Sequence, residues 1–473
     1  MGTISTAFSI MSGALDADQS ALNIVANNVA NANVPGYTEE NPTWQENRPI
    51  QIDGVSTGDG VTETGATSLR DRVLEQRLDQ QQQLASASGA RLTALNGVQA
   101  LFTPDSGSAS STAGDIGNDL TSFFNSFSSL EANPTDNALR QQVLSSASSL
   151  AGDVSNAAAS LNAQRAALDQ DATGVTSQVN SLTGAIAQLN QQIQTTSPNA
   201  DAGTLEDQRQ QDLSQLSQLI GINQIKTENN GLSITTTSGQ LLISEDTNLQ
   251  MTSGMVDGVT HFMVGTTDVT SQLAGGGGQV GGYLTARDQD IPGVLSSLDQ
   301  LAYSVSTQVN ALNNGGTDLD GVNGTAVKPI YIFNQPATVT GSAENMSVVM
   351  TDPNQIAAAG LGQGTGDNSN ATALANLANQ PIVGGLSPTN FYSNLVSTLG
   401  STVSGVQAEN TAQNASVTQL QTQNNALSSV NLDDEASSMT TLERSYQAAS
   451  QVFAMLNTIM ASALNLGDQT TVS

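Results

Sequence analysis

Apolar residues near the start of the chain fall at Ile4, Phe8, Met11, Leu15, Leu22, Val25 and Val29, with Asp18 in the vacant slot of an alternating three-and-four spacing. That spacing is the seam of a helix packing along one face. Pro35 and Gly36 follow and predict its end, because proline disfavours helix at the residue before it and glycine admits a turn. The far end repeats the device with Met439, Leu442, Tyr446, Ala449, Phe453, Leu456, Met460 and Ala463. Both ends are therefore predicted to be seam helices that pair with each other.

The interior holds more of the same pattern. Val154, Leu161, Leu168, Val175, Leu182 and Leu189 recur every seven residues, with Val179, Ile186 and Ile193 on the second seam position, up to Pro198. Residues 69–102 read as helix from Val73, Leu84 and Leu95, eleven apart, and Ser106–Ser111 as a loop. Leu399, Val403, Val406, Asn410, Gln413, Val417, Leu420, Asn424 and Leu427 keep seam spacing but place three amides in it, which weakens packing and fixes register. Residues 225–284 and 317–387 break the pattern with short Thr/Val/Ile runs between Gly-containing turns, which read as antiparallel strands. The expected fold is mainly α with β insertions (α+β). Its expected parts are a terminal helical inner domain (1–50 and 431–473), an elongated helical-bundle shaft (51–224, 285–316 and 388–430), and a β-rich outer domain (225–284 and 317–387).

Composition narrows the function. Twelve Lys and Arg against 42 Asp and Glu give a formal charge of −30, leaving no basic field for nucleic acid or an anionic membrane. There is no cysteine, so disulfides, thiolate chemistry and Cys-ligated zinc are excluded. The start lacks a basic n-region and nothing approaches the run of about 20 apolar residues a bilayer requires, so neither a signal peptide nor an anchor is expected.

Candidate chemistry is sparse. His261 is the single histidine, which removes two-His zinc sites; it reads as a strand residue before it reads as a general base. AGGGGQVGG (274–282) lacks the lysine of a phosphate loop and reads as a flexible turn. GLGQGTGDN (360–368) and DLDGVNG (318–324) fail the dinucleotide and calcium spacings. Asp433, Asp434 and Glu435 suit the positive end of a helix that follows them. Four Asn-X-Ser/Thr sequons are at the level of chance in a chain this rich in these residues. No cofactor, metal site or catalytic residue is expected; a glycoside hydrolase with paired carboxylates is the one enzyme type within reach.

Two terminal stretches carry a family likeness. ANNVANANVPGYT resembles the Asn-rich segment after the first helix of flagellar rod, hook and hook-associated proteins, and VNLDDEASSMTTLERSYQAASQVFAMLNTIMASALNL is similar to their C-terminal segment. Three interior stretches, beginning GDIGNDLTSFF, GGYLTARDQDIPG and GTGDNSNATA, resemble the family of hook-associated protein 1, the hook–filament junction protein. The likeness spans nearly the whole chain, although VPGYTEENP carries acidic residues where many members have Arg or Gln. It implies a structural axial protein that self-assembles into a helical layer between the hook protein and the next hook-associated protein or flagellin. It further implies type III export, an extracellular place on the flagellum, and a cytoplasmic chaperone on the C-terminal helix before export. Hook protein, flagellin and a secreted coiled-coil adhesin are the alternatives.

The candidate assembly interface comprises Ile4, Phe8, Met11, Leu15, Leu22, Val25 and Val29, then Asn27, Asn28, Asn31, Gly36 and Tyr37. At the other end it comprises Asn431, Leu432, Glu435, Met439, Leu442, Tyr446, Phe453, Leu456 and Met460. An isolated amphipathic helix is marginal in water, so the ends of a free subunit are expected to order on meeting neighbours. The asparagines have two readings: hydrogen bonds to adjacent subunits, or a capping loop within the chain.

Overall fold

The N-terminal seam forms helix α1 (Gly2–Asn31). Val34 to Tyr37 then make a tight turn, with the Tyr37 N–H donating to Val34 O at 3.2 Å. Pro35 presets its second position, and Gly36 at φ +83° fills the third, where a type II turn needs a positive φ. The structure, a computed structural model, describes residues 2–52, 55–103, 116–197, 201–256, 258–325 and 328–468. The Ser106–Ser111 loop lies outside them.

Four strands follow where helical segments were expected: β1 (Glu40–Glu46), β2 (Ile50–Ile52), β3 (Val55–Thr57) and β4 (Val61–Ser68). β1 pairs antiparallel with β4, with a register shift at Thr43/Trp44, and β2 with β3. β1 and β4 are largely exposed, so no buried apolar face announces them in the sequence.

Helices α2 (Arg72–Phe102), α3 (Ile116–Ala132), α4 (Asn137–Thr196) and α5 (Thr204–Leu219) come next. On α4, Val154, Leu161, Leu168 and Val175 are buried, and burial then passes to Val179, Ile186 and Ile193. On α2 the expected seam is corrected: Leu95 is buried but Val73 and Leu84 are exposed, and Leu74, Leu78, Ala85 and Val98 form the buried face instead. An eleven-residue period holds on any stripe of a straight helix, so it could not choose the stripe.

The first β segment is a four-stranded antiparallel meander, β5 (Ile222–Lys226), β6 (Leu232–Thr236), β7 (Leu241–Ser244) and β8 (Thr247–Asn248). A three-stranded sheet ordered β11-β10-β9 follows, from β9 (Met251–Val256), β10 (Val259–Val264) and β11 (Thr267–Asp268). His261 lies on β10 with Nδ1 2.6 Å from Asp268. The rest of 225–284 turns helical in α6 (Thr270–Ala274) and α7 (Gly278–Thr285), so the glycine run is in part a helix start.

After α8 (Ile291–Gly315), the second expected β segment forms no ladder among the described residues. It has isolated bridges such as Phe333–Val348, a short α-helix, α9 (Ser369–Asn376), and 3-10 turns at Pro353–Gln355 and Leu377–Asn379. Side chains of α8 replace strand partners. Asn310 Oδ1 accepts the N–H groups of Ile332 and Phe333 at 3.0 Å each, and its Nδ2 donates to Phe333 O at 2.9 Å. Asp299 accepts the N–H groups of Gly341 and Ala343. Helices α10 (Pro388–Ser428) and α11 (Leu432–Asp468) close the chain.

The chain divides into a terminal unit (1–82, 178–251 and 414–473) and a middle unit (83–177, 252–413). This division cuts across the expected parts, since 225–284 and 388–430 each contribute to both units. The middle unit's core gathers Phe123, Phe124, Phe127 and Phe333, with Phe123 ring centroids 5.2 to 5.4 Å from the other three.

Candidate assembly interface

Helices α1 and α11 pair within one chain. Phe8 stacks on Phe453 with ring centroids 4.3 Å apart, and Asn28 bonds Glu435, so the two helices run antiparallel. Ile4, Phe8, Met11, Leu15 and Leu22 are half-buried, as are Met439, Leu442, Tyr446, Phe453, Leu456 and Met460. Val25 is buried together with Ala17 and Ala21, while Val29 is exposed. A two-helix pair covers one side of each seam and leaves the flanks in solvent.

Sequence reasoning missed a second stripe on α11. Val452, Met455 and Ile459 are 39, 58 and 52% exposed and recur at steps of three and four beside the seam. Their spacing is present in the sequence, but the stronger seam next to it masks it. Leu432, 51% exposed, is apolar and uncovered as well.

The asparagine segment is a hub inside the chain. Asn28 is 1% exposed. Its Nδ2 donates to Glu435 Oε1 at 2.8 Å and to Glu40 O at 2.9 Å, while its Oδ1 accepts from the Tyr37 hydroxyl at 2.8 Å and the Glu40 N–H at 3.1 Å. Those four bonds use the amide's whole capacity. Asn31 donates to Asn27 Oδ1 at 2.8 Å, and Asn27 donates to the Tyr37 hydroxyl at 3.3 Å. The Asn27, Asn28 and Asn31 side chains are thus engaged within the chain, as a capping loop would have them.

The strand leaving this turn is held from several sides. The Glu39 N–H donates to Ser428 O at the end of α10, and the Thr38 N–H to Asp207 Oδ2 on α5. Arg70 pairs with Asp207 and, at 3.4 Å, with Glu75. Burial raises the Tyr37 hydroxyl well above its ordinary range, with Glu40, Asp207 and Glu435 adding to it. Burial also raises Glu435, whose Oε2 has no hydrogen-bond partner. Asn431 caps α11: its Oδ1 accepts the Asp433 N–H at 3.1 Å, its Nδ2 donates to Asp434, and the acidic first turn follows. Gly36 is exposed on the turn.

No group of His, Cys, Asp and Glu among the described residues is arranged to hold a metal ion, and no helix among them is long and apolar enough to cross a membrane.

Known proteins resemble this chain in sequence and in fold. The family model described as the flagellar hook-associated protein FlgK helical domain matches residues 106–327, and that of the flagella basal body rod protein matches residues 9–38. Flagellar hook-associated protein 1 of Escherichia coli is 25% identical, over 96% of this chain and 98% of its own. The Salmonella typhimurium protein of the same name is 26% identical over the same shares, and that of Bacillus subtilis 25% identical over 96% of each. The flagellar hook junction protein FlgK from Burkholderia pseudomallei has a similar fold, with TM-score 0.64 at 18% identity, over 74% of this chain and 99% of that one.

Proposed function

This chain belongs to the family of flagellar hook-associated protein 1, and we propose that it builds the hook–filament junction through the paired terminal helices α1 and α11. It is a structural component of the flagellum that self-assembles between hook and filament, not an enzyme. The observation carrying the helical interface is the uncovered stripe of Val452, Met455 and Ile459 beside a half-buried seam. Apolar surface of that kind on a helix already paired with one partner marks a place for another. In an assembled layer each α11 meets a neighbouring subunit along this stripe, and the contact is heterologous, so it repeats instead of closing.

The half-buried seam residues set the geometry of the α1–α11 pair, and the Asn28 hub fixes the register in which that pair is presented. Before assembly an export chaperone covers the C-terminal helix in the cytoplasm; afterwards the protein stands outside the cell.

Isolated hooks incubated with the purified chain and viewed by electron microscopy test the junction role. Density added at the distal hook end supports it. Decoration along the hook's side, or none, contradicts it.

A further inference from the structure

Beside the start of α2 the terminal unit holds a cavity of about 170 Å³, walled by the first turn of α2, by α5, by the end of β5 and by the β5–β6 turn. Four of the chain's twelve lysines and arginines stand in its wall, Arg70, Arg72, Arg209 and Lys226, against the carboxylates Glu75 and Glu206. Such a gathering of cations runs against a chain whose formal charge is −30.

The carboxylates are already engaged. Glu206 accepts twice from Arg72 Nη2, at 2.7 and 3.0 Å, and Arg70 pairs with Glu75 and Asp207. Neither Arg209 nor Lys226 has an ion-pair partner among the described residues. Arg209 is 8% exposed, and its Nη1 donates only to neutral oxygens, Asn190 Oδ1 at 2.9 Å and Asn230 O at 2.8 Å. A tight turn holds the second of these: Asn229 and Asn230 take φ +54° and +58°, and the Gly231 N–H donates to Glu228 O at 3.0 Å. Nε and Nη2 of Arg209 bond nothing among the described residues and are not closed to solvent, which reaches them through the cavity the residue lines. Burial pushes Arg209 down to about 10, with Arg72 and Arg70 adding to the fall against Glu206 and Glu75.

We propose that this cavity takes a carboxylate on the Nε–Nη2 edge of Arg209, with the exposed Lys226 adding positive charge. That edge offers two parallel N–H groups in one plane, the fork that a carboxylate matches with both oxygens. Nη1, tied to Asn190 and Asn230, holds the plane of the fork in place. A guanidinium this buried with no counter-charge is costly, and a bound carboxylate supplies the charge it lacks. The carboxylate comes from a small free acid, or from an Asp or Glu of a second copy, of which the chain carries 42. The proposal stands apart from the junction role.

Succinate is titrated calorimetrically into the full chain, with sodium chloride at matched ionic strength as the reference. Saturable binding is expected. Arg209→Lys should weaken it about tenfold, since an ammonium keeps the charge but loses the fork. Lys226→Glu, a change at an exposed position, should weaken it several-fold. Glu75→Gln takes a carboxylate out of the wall and should tighten it several-fold, a gain that a folding defect cannot imitate. Arg48→Gln, the loss of an exposed cation outside the cavity wall, should leave it unaltered. Sedimentation then separates the sources. Self-association weakened by succinate and by Lys226→Glu assigns the carboxylate to a second copy, and self-association indifferent to both assigns it to a free acid. Succinate heats no larger than those of sodium chloride, or equal affinity in wild type, Arg209→Lys and Lys226→Glu, overturn the proposal.

Discussion

Asn28 joins four groups from three segments, so its loss is expected to exceed that of an ordinary hydrogen bond. Asn28→Ala leaves the Tyr37 hydroxyl, the Glu40 N–H and the Glu435 carboxylate without their shared partner. At ~1–3 kcal/mol for a buried polar group left unpaired, a loss of about 3 kcal/mol is expected in urea unfolding of the terminal unit; a loss under about 1 kcal/mol would mean water replaces the amide. Glu75 and Asp79 set a pH dependence. Held near 7 and 6 when folded and lower when unfolded, both keep their protons longer in the native state. The folded chain therefore binds more protons between about pH 4 and 7, and stability should fall as pH rises through that window, by ~1.4 kcal/mol per pH unit for each group that is protonated when folded and ionised when unfolded. Melting temperatures from pH 5 to 8 should show the fall, and Asp79→Asn with Glu75→Gln should flatten it. Of this site the sequence displayed the ingredients, Asn-rich segment, Pro-Gly turn and acidic Glu435, because local spacing carries them. It could not display that Asn28 meets a residue 407 positions away, since one amide in a run of several looks like the next.

Helices were legible where a single apolar stripe packs, and the limits of that rule are instructive. Apart from Val29 and Ala463, which are exposed, the seams of α1, α4 and α11 mapped onto buried or half-buried positions, but Val73 and Leu84 of α2 are exposed. Their helix is buried in part by small and polar residues such as Ala85, Ser88 and Gln83, which an apolar pattern does not count. Residues 317–387 read as strands because they are rich in Thr, Val and Ile, yet the acceptors and donors that hold them are Asn310, Asn313 and Asp299 of a helix. Side-chain pairing of this kind has no period. Close helix contact is equally silent except through glycine. A Cβ on Gly282 of α7 would stand 2.3 Å from Ala87 O and 2.8 Å from Ala90 Cβ on α2. Gly282→Ala should therefore force α7 away from α2 at a cost of about 2 kcal/mol, read as a lowered unfolding midpoint of the middle unit; an unchanged midpoint would show that the helices part freely.

Over the whole molecule, charge opposes what apolar surface favours. With 12 cationic residues against 42 acidic ones, and Arg70, Arg72, Arg91 and Arg287 already in ion pairs, copies of the chain repel one another. Salt shortens that repulsion, from a Debye length of ~30 Å at ~10 mM to ~8 Å at ~150 mM. Self-association followed by light scattering should therefore rise with ionic strength over that range; a fall would show that attraction between unlike charges drives it. Composition announced this repulsion, while the outward stripe of α11 needed the structure, because only pairing with α1 decides which apolar residues remain uncovered. The most direct measurement uses that stripe. Val452→Glu and Ile459→Glu change exposed positions, so the monomer's melting temperature should stay within about 2 °C of wild type, as surface substitutions do, while binding to isolated hook ends, counted by electron microscopy, should be lost. Hook ends occupied by the variants as fully as by the wild-type chain would contradict assembly through the terminal helices.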